Sequence, residues 1–205
     1  LSRILAGPYC TFLMAEMGAR VIKVEPPKGG DDARAYGPFV KGKSTYFASV
    51  NRGKESIALD LKNDEHRKIF EKLLAKADVI VENFRPGVME RLGLGWDVIH
   101  EANPRLIYLQ SSAFGPVGPL DGKPSVEWVT QAYGGTTSLM GPEGGPPEFS
   151  RGTSSLDWNG AMVNTEAMLI ALYVRARTGQ GLRVHTSQFQ STLICGTTPE
   201  AVTLR

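Results

Sequence analysis

The stretch 78-DVIVENFRPG-87 decides the fold class of this chain. It opens with a continuous run of β-branched apolar residues, which is typical of a strand buried on both faces of a parallel sheet. Asn83, Phe84 and Arg85 follow at once, before a proline–glycine turn. The stretch therefore predicts a buried parallel strand whose carboxyl end presents polar, aromatic and basic side chains.

Strands and helices alternate on both sides of this strand. The pattern predicts an α/β fold, with a Rossmann-like, mostly parallel sheet flanked by helices. Ligands of such sheets bind beyond the carboxyl ends of the strands. Residues 28 to 55 hold few apolar positions and are predicted as one long loop. The other predicted strands are 19–27, 55–61, 105–115 and 182–190, and the predicted helices include one between Pro8 and Gly18, one over 63–77 and a long one from Asp157 almost to Arg177.

The composition argues against several classes of function. The 205 residues are 41% hydrophobic and 21% charged, and the formal net charge of +2 is too balanced for a nucleic-acid-binding surface. No apolar run is long enough to span a membrane, and no signal peptide is visible. The two cysteines lie far apart and the three histidines are scattered, so neither a disulfide framework nor a His-rich metal site is expected. A cytoplasmic location fits this composition.

Common nucleotide-binding and hydrolase signatures are missing from the sequence. No G-x-G-x-x-G follows a strand, and neither G-x-x-x-x-G-K-[ST] nor G-x-S-x-G occurs. Basic residues instead gather near the strand ends. Each alone is more typical of a solvated surface charge, but together with Phe84 they could hold an adenine and several phosphates by stacking and ion pairing. These residues are Lys28, Arg34, Arg52, Lys54, Lys62, Arg85, Arg91 and Lys123.

Asp157 is the candidate for covalent chemistry. It lies in the stretch 151-RGTSSLDWNGAM-162, between small polar residues and a long apolar helix. Aspartate is a favoured helix N-cap, which is the structural interpretation. The functional interpretation is a nucleophile, because a helix N-terminus favours an ionised carboxylate and a carboxylate can attack an activated carbonyl. The two roles are compatible, and the residues alone leave both open.

Several motifs in order resemble the class III CoA-transferases, the family of the formyl-CoA and carnitine-CoA transferases. The resemblance covers essentially the whole chain. The matching segments are RILAGPYCTFLMAEMGARVIKVEPPKGGDDAR (3–34), NRGKESIALDLK (51–62), ADVIVENFRPGVMERLGLGWDVI (77–99), NPRLIYLQSSAFG (103–115) and SLDWNGAMVNTEAMLIALYVRARTGQGLRVHTSQFQ (155–190).

The resemblance implies a reaction in which Asp157 is the nucleophile. Its carboxylate would attack an acyl-CoA, giving an aspartyl-acyl anhydride and then an aspartyl-CoA thioester, from which CoA passes to an acceptor carboxylate. Coenzyme A is the acyl-carrying substrate here, and neither a metal nor another cofactor is implied. The expected partners are an acyl-CoA and a carboxylic acid, with no nucleic acid and no membrane.

The resemblance also carries the family's CoA contacts onto positions of this chain. Two residues differ from the usual pattern: Leu156 stands where the family usually has glycine, and Leu5 where some members have glutamine. The expected CoA-binding residues are Leu5, Ala6, Arg34, Leu59, Lys62, Asn83, Phe84, Arg91 and Lys123.

The same resemblance sets the expected domain organisation. Residues 1–205 would form the large, Rossmann-like domain of the family, as a fragment without its first strand and without the downstream second half. Family members are interlocked homodimers, so a homodimer is expected for the full-length protein. The expected protein is an enzyme, a class III CoA-transferase. The alternatives are that a chain of this length is inactive on its own, or that it is a non-catalytic CoA-binding module.

A related alternative is an α-methylacyl-CoA racemase, which would share Asp157 and the fold. Such an enzyme needs a second proton-transfer group, which is a histidine in that family. Val126 occupies the corresponding position here, next to Glu127. The transferase interpretation is therefore favoured.

Overall fold

Parallel strands form the framework in the computed structural model of the chain, which describes residues 1–142, 144–149 and 154–196. Part of the approach to Asp157 and the end of the chain, residues 197–205, lie outside this description. The strands are β1 (Ile22–Glu25), β2 (Phe39–Val40), β3 (Lys43–Ser44), β4 (Glu55–Ala58), β5 (Val79–Glu82), β6 (Ile107–Ser112) and β7 (Arg183–Ser187). The helices are α1 (Ala6–Glu16), α2 (Thr45–Asn51), α3 (Asp64–Leu74), α4 (Val88–Arg91), α5 (Trp96–Ala102), α6 (Glu127–Tyr133), α7 (Thr136–Leu139), α8 (Ser155–Thr178) and α9 (Gln188–Gly196), with a 3-10 helix over Asp32–Ala35.

Two parallel sheets and one hairpin make up the strand pairing. Strands β5, β6 and β7 form a parallel sheet in which Val81 lies opposite Leu109, and Leu109 opposite Val184. Strands β1 and β4 form a second parallel pair, and β2 and β3 a short antiparallel hairpin. The predicted α/β fold with mostly parallel strands is therefore confirmed, and the stretch that begins at residue 78 supplies β5 as expected.

Helices cover both faces of this framework. One buried cluster packs α1 and α8 against the three-stranded sheet, through Cys10, Val81, Leu109, Ala161 and Met168. A second cluster lies on the side of α3, α4 and α5 and includes Leu59, Phe70, Met89, Ile99 and Tyr108. At α3, the Asn63 side chain caps the helix by accepting from the N–H groups of Glu65 and His66.

Three expectations about the elements are wrong. The predicted loop of residues 28–55 contains the 3-10 helix, the hairpin and α2, because Ser44 caps α2 by accepting from the N–H of Phe47 at 2.9 Å. Helix α8 begins at Ser155, so Asp157 lies inside its first turn and is not the N-cap. The last strand ends at Ser187, and α9 follows it directly.

The helices of the described chain have no membrane-spanning candidate among them, since none combines the necessary length with the necessary apolar character.

Candidate functional site

Asp157 is the third residue of α8, and its surroundings come from other parts of the chain. Ser154 occupies the N-cap position, and its side chain makes no capping hydrogen bond. The free N–H groups of the first turn therefore need acceptors from elsewhere.

Glu127, the first residue of α6, supplies that acceptor. Its Oε1 accepts from the backbone N–H of Leu156 at 3.3 Å and from the Gln131 amide at 2.8 Å, while its Oε2 accepts from the N–H of Asp157 at 3.4 Å. The Glu127 side chain is almost completely buried. A carboxylate at this position complements the positive end of the helix dipole. Glu127 thus takes the capping role that the sequence suggested for Asp157.

The Asp157 carboxyl group itself is held by Gln188, at the junction of β7 and α9. The Gln188 amide donates to Oδ1 of Asp157 at 2.5 Å. The carbonyl oxygen of the same amide accepts from the Thr130 hydroxyl at 3.0 Å. Thr130 is fully buried, so its hydrogen bond fixes the orientation of the Gln188 amide. Among the described residues, Gln188 fixes Oδ1 of Asp157, and Oδ2 makes no hydrogen bond.

Burial, and then the negative charge of Glu127, raise the pKa of Asp157 to about 7. Desolvation penalises the charged form of a carboxyl group, and a nearby like charge adds to that penalty. These two effects oppose the preference of a helix N-terminus for the ionised form. Near neutral pH, the acid and the carboxylate are both well populated.

Tyr46 of α2 lies within electrostatic range of the same carboxyl group. Burial, and then the negative charge of Asp157, raise the pKa of the Tyr46 phenol. Its ring packs edge-on against Tyr36, with the ring centroids 5.6 Å apart. Next to Asp157, the Trp158 ring meets Tyr9 of α1 edge-on at 4.3 Å, which ties the start of α8 to α1. Leu156, the departure from the family pattern, points inside, with 3% of its surface exposed.

Part of the predicted CoA-binding set converges at the carboxyl ends of β4 and β5. Asn83 exchanges two hydrogen bonds of 2.8 Å with the backbone of Arg3, and the Arg3 guanidinium lies 5.7 Å from the centre of the Phe84 ring. Phe84 and Leu59 belong to the same hydrophobic cluster. Asn83, Phe84 and Leu59 are therefore brought together beside the N-terminal segment that carries Leu5 and Ala6.

The other predicted contacts differ in how available they are. Lys62, Arg91 and Lys123 are exposed and are free to meet an anion. Ala6 is half-buried, whereas only 1% of the Leu5 surface is exposed.

Arg34 is engaged within the protein. Its guanidinium donates to both carboxylate oxygens of Glu25, at 2.8 and 2.7 Å, and lies 3.8 Å from the centre of the Phe47 ring. Burial alone would raise the pKa of Glu25, but Arg34, the N–H of Asp31 and the Ser56 hydroxyl together lower it to about 2. A phosphate would therefore have to compete with Glu25 for this guanidinium.

No group of three or more His, Cys, Asp and Glu side chains suited to hold a metal ion occurs among the described residues.

Comparison with known proteins gives one consistent picture. The family profile described as CoA-transferase family III matches residues 1–201. An acetyl-CoA:oxalate CoA-transferase from Acetobacter aceti is 47% identical over 193 residues, covering 94% of this chain and 50% of the relative. A succinyl-CoA:glutarate CoA-transferase from Homo sapiens is 38% identical over 196 residues, covering 95% of this chain and 44% of the relative.

A crystal structure of a CAIB/BAIF family protein from Brucella suis superimposes with a TM-score of 0.89 at 36% identity, covering 94% of this chain and 52% of that protein. The chain thus spans about half the length of the curated relatives that it matches.

Proposed function

Because the chain belongs to CoA-transferase family III, we propose that it takes part in the transfer of CoA from an acyl-CoA to a carboxylic acid, with Asp157 as the nucleophile. The observation that carries this proposal is the state of the Asp157 carboxyl group. Gln188 holds Oδ1 at 2.5 Å, while Oδ2 has no hydrogen-bond partner in the described chain. One oxygen is anchored, and the other is left to attack.

The proposed reaction proceeds through covalent intermediates on this side chain. Oδ2 attacks the acyl carbon of the donor thioester, and the CoA thiolate leaves, which gives an aspartyl-acyl anhydride. The thiolate then attacks the aspartyl carbonyl, forming an aspartyl-CoA thioester and releasing the donor carboxylate. The acceptor carboxylate attacks this thioester, which expels the CoA thiolate and forms a new anhydride. The thiolate finally attacks the acceptor's acyl carbon, which yields the new acyl-CoA and restores Asp157. Covalent catalysis divides one difficult exchange into easier steps.

The pKa of Asp157 suits this sequence of steps. A carboxyl group with a pKa of about 7 supplies a substantial fraction of carboxylate near neutral pH. The ionised form is also incompletely solvated, because burial raised that pKa in the first place. Gln188 aims the carboxylate, and Thr130 orients Gln188. We therefore assign these two side chains as positioning residues for Asp157.

The residues at the carboxyl ends of β4 and β5, here called the rim, support binding of the CoA moiety. Leu59 and Phe84 offer an apolar and aromatic surface, and Asn83, Leu5 and Ala6 adjoin it through the segment near Arg3. Exposed Lys62, Arg91 and Lys123 provide cations for the phosphates. We include Arg34 in this set, with exchange from Glu25 to a phosphate as the step that binding requires.

The outer face of α8 supports the expected homodimer. Met162, Leu169, Ile170 and Tyr173 recur at helical spacing and are exposed. Such a stripe is typical of a helix face that another surface covers. In the proposed full-length protein, this face packs against the partner subunit or the second half of the chain.

The racemase alternative has one observation in its favour. Glu127 lies beside Asp157, so two carboxyl groups adjoin one site. Glu127 is, however, committed to the N–H groups of α8 and to Gln131, and Val126 before it is exposed and cannot transfer a proton. Deuterium exchange at the α-carbon of a branched acyl-CoA, without any transfer of CoA, would favour the racemase.

Hydroxylamine trapping tests the proposed function directly. Protein incubated with acetyl-CoA and hydroxylamine is digested and analysed by mass spectrometry, and we expect a hydroxamate at Asp157. Asp157→Asn should give none, whereas Glu166→Gln, the same change at an exposed position of α8, should behave like the wild type.

The result that contradicts the proposal is a wild-type protein that binds CoA by calorimetry but forms no adduct with any donor in a panel of acyl-CoA thioesters. That outcome would favour a non-catalytic CoA-binding module.

A further inference from the structure

A buried polar contact joins α8 to strands β6 and β7. The Thr186 hydroxyl of β7 donates to Oδ1 of Asn164 in α8 at 2.5 Å, and the Asn164 amide donates to the Ser111 hydroxyl of β6 at 3.1 Å. Asn164 has no exposed surface, and Ser111 and Thr186 are buried as well. A buried polar group carries a desolvation cost that a well-placed partner offsets. These three side chains are therefore fixed in one arrangement.

The two strand residues of this contact face α8 together. Ser111 and Thr186 are direct partners in the parallel ladder of β6 and β7, so their side chains leave the sheet side by side. Ser111 follows Leu109 at the period of two that keeps side chains on one face of a sheet, and Leu109 lies in the buried cluster that packs against α8. The polar contact thus continues the helix-facing surface of the sheet toward the carboxyl ends of the strands.

Two hydrogen bonds connect α8 to the chain at the end of β7. Gln188 meets Asp157 just after β7, and Thr186 meets Asn164 two residues earlier. Residue numbers rise along α8 as they fall along β7, so the helix and the strand run antiparallel, and the turn at Gly179 joins them. Asn164 lies about two turns after Asp157 on the same side of the helix, roughly 10 Å along its axis. The contact between Asn164 and Thr186 therefore lies between the Asp157 site and the turn.

Apolar packing alone would specify the position of α8 along the strand loosely. Ala161 of α8 and Leu109 of β6 belong to one apolar cluster, and hydrophobic contacts have no preferred direction. A hydrogen bond instead requires a narrow range of distance and angle, and a hydrogen-bonded polar network in a core specifies one arrangement. The contacts of Asn164 therefore fix α8 relative to β7, and with it the separation between Asp157 and Gln188.

We propose that Asn164 is a positioning residue for the covalent chemistry of Asp157 and that it acts through Thr186 and the Gln188 contact. This inference rests on the proposed function, in which the Asp157 carboxylate attacks an acyl carbon. A misplacement of reacting groups by about 1 Å can cost on the order of a hundredfold in rate. The role differs from that of Thr130, which orients the Gln188 amide from α6. Asn164 sets the spacing between the elements that carry the amide and the carboxyl group.

The first measurement follows the contact between Asp157 and Gln188 without any turnover. The side-chain amide of Gln188, labelled with nitrogen-15 and identified by its loss in Gln188→Leu, is recorded by NMR across neutral pH. In the wild type, the chemical shift of its proton should follow the ionisation of the carboxyl group that it contacts. In Asn164→Leu and in Thr186→Val, the amplitude of this change should fall by at least half.

Thr165→Val is the matched control for these variants. Thr165 is the next residue of α8 and is also buried, but its hydroxyl donates to the carbonyl oxygen of Ala161 within the same helix. This variant should therefore keep the full amplitude. Urea unfolding establishes that each variant is folded. Thr186→Val preserves the shape of the side chain and carries the test if Asn164→Leu does not fold.

The second measurement asks whether Asn164 acts through Gln188. Asn164→Leu should slow adduct formation with acetyl-CoA by about five- to twentyfold and leave the affinity for CoA unchanged. The double variant with Gln188→Leu should be no slower than Gln188→Leu alone, because two positions that act through one contact have non-additive effects. Thr186→Ser keeps the hydroxyl and should retain the rate, whereas Thr186→Val should match Asn164→Leu.

Two results would overturn the proposal. One is a Gln188 amide that titrates with its full amplitude in the folded variants Asn164→Leu and Thr186→Val. The other is a double variant whose rate loss is the product of the two single losses, which is expected if Asn164 has a merely structural role. A wild-type protein that forms no adduct contradicts the proposed function instead, and the amide titration then still decides whether Asn164 sets the contact.

Discussion

Glu82 at the end of β5 and Asp157 in α8 are carboxyl groups that burial shifts in the same direction, each to a pKa of about 7. Their surroundings nevertheless differ. Glu82 is fully enclosed, and its two oxygens accept from the N–H of Phe84 at 2.7 Å and from the Tyr108 hydroxyl at 3.2 Å. Asp157 is half-buried, with one oxygen held by Gln188. The comparison teaches that a raised pKa marks burial, while a carboxyl oxygen without a hydrogen bond from the described residues marks a candidate nucleophile.

Exchanging each carboxyl group for its amide gives the largest expected contrast. Asp157→Asn should reduce the rate of adduct formation with acetyl-CoA by at least about a thousandfold, because the attacking oxygen anion is lost. Glu82→Gln should stay within about fivefold of the wild type, because Glu82 is enclosed and does not meet the substrate. Rapid-quench mass spectrometry measures both rates. A comparable loss in the two variants would remove the distinction between the two sites.

The contact with Gln188 distinguishes Asp157 from Glu82, and substitution of Gln188 tests its role. Gln188→Leu should slow adduct formation by about ten- to a hundredfold, because the carboxylate loses its fixed orientation. The affinity for CoA should not change, since Gln188 follows β7, which β6 separates from β5 and the rim residues Asn83 and Phe84. Gln190→Leu, at an exposed position of the same helix, is the matched control.

Thr130 provides the rescue experiment for the same contact. Thr130→Ser keeps the hydroxyl and should retain the rate, whereas Thr130→Val should resemble Gln188→Leu. If Gln188→Leu instead weakens CoA binding and leaves the chemical step unchanged, Gln188 is not a positioning residue.

Glu127 is the charged group that faces Asp157 from α6, and Tyr46 faces it from α2. Glu127→Leu should lower the free energy of unfolding by about 2 kcal/mol, because three hydrogen bonds to a charged acceptor are lost. Glu127→Gln keeps an acceptor and should cost less. It should also shift the pH midpoint of adduct formation to lower pH, since the like charge that raises the pKa of Asp157 is gone. Urea unfolding and the pH–rate profile measure the two effects, and an unchanged midpoint in Glu127→Gln would contradict the assigned cause.

The pH dependence of stability should reveal both carboxyl groups. Each has a folded-state pKa of about 7, above the ordinary carboxyl value of about 4. Folding therefore favours the protonated form, and the stability that this provides is complete below about pH 4 and is lost as the pH rises through 7. Glu82→Gln and Asp157→Asn should each reduce this loss relative to the wild type.

Lys54 also titrates in this region, with its pKa lowered to about 7, mainly by burial. It is common to all the proteins compared, so the difference between variant and wild type isolates each carboxyl group. Glu166→Gln should leave the profile unchanged. If either variant shows the same dependence of stability on pH as the wild type, the corresponding carboxyl group has an ordinary pKa.

The rim was more predictable from the sequence than the surroundings of Asp157. Asn83 and Phe84 directly follow a strand that its own composition identifies, and such strand ends meet at one edge of a parallel sheet. The partners of Asp157 come from elsewhere: Gln188 is 31 residues away along the chain, and Glu127 is 30 residues away. No local pattern relates residues so far apart.

A local signal did exist for one of the two elements that sequence reasoning missed. Ser44 before TYFASVN is a typical helix N-cap, and it could have revealed α2 and hence Tyr46. At α9, strand β7 passes directly into the helix without an intervening glycine or proline, so the sequence does not indicate the boundary. The pairing of Arg34 with Glu25 depends on the fold and could not be predicted from either residue alone.

The smallest expected effects lie at the rim. Lys62→Ala and Arg91→Ala should each weaken CoA binding by about three- to tenfold, because an exposed cation contributes modestly to the binding of a phosphate. The loss should shrink at high salt, which screens exposed charges. Lys72→Ala, at an exposed position in the last turn of α3, the helix that precedes β5, is the matched control and should have no effect. Calorimetry at two ionic strengths measures these affinities. If Lys62→Ala and Lys72→Ala behave alike, the rim at the ends of β4 and β5 does not bind the phosphates, and Asp157 would need a CoA site elsewhere.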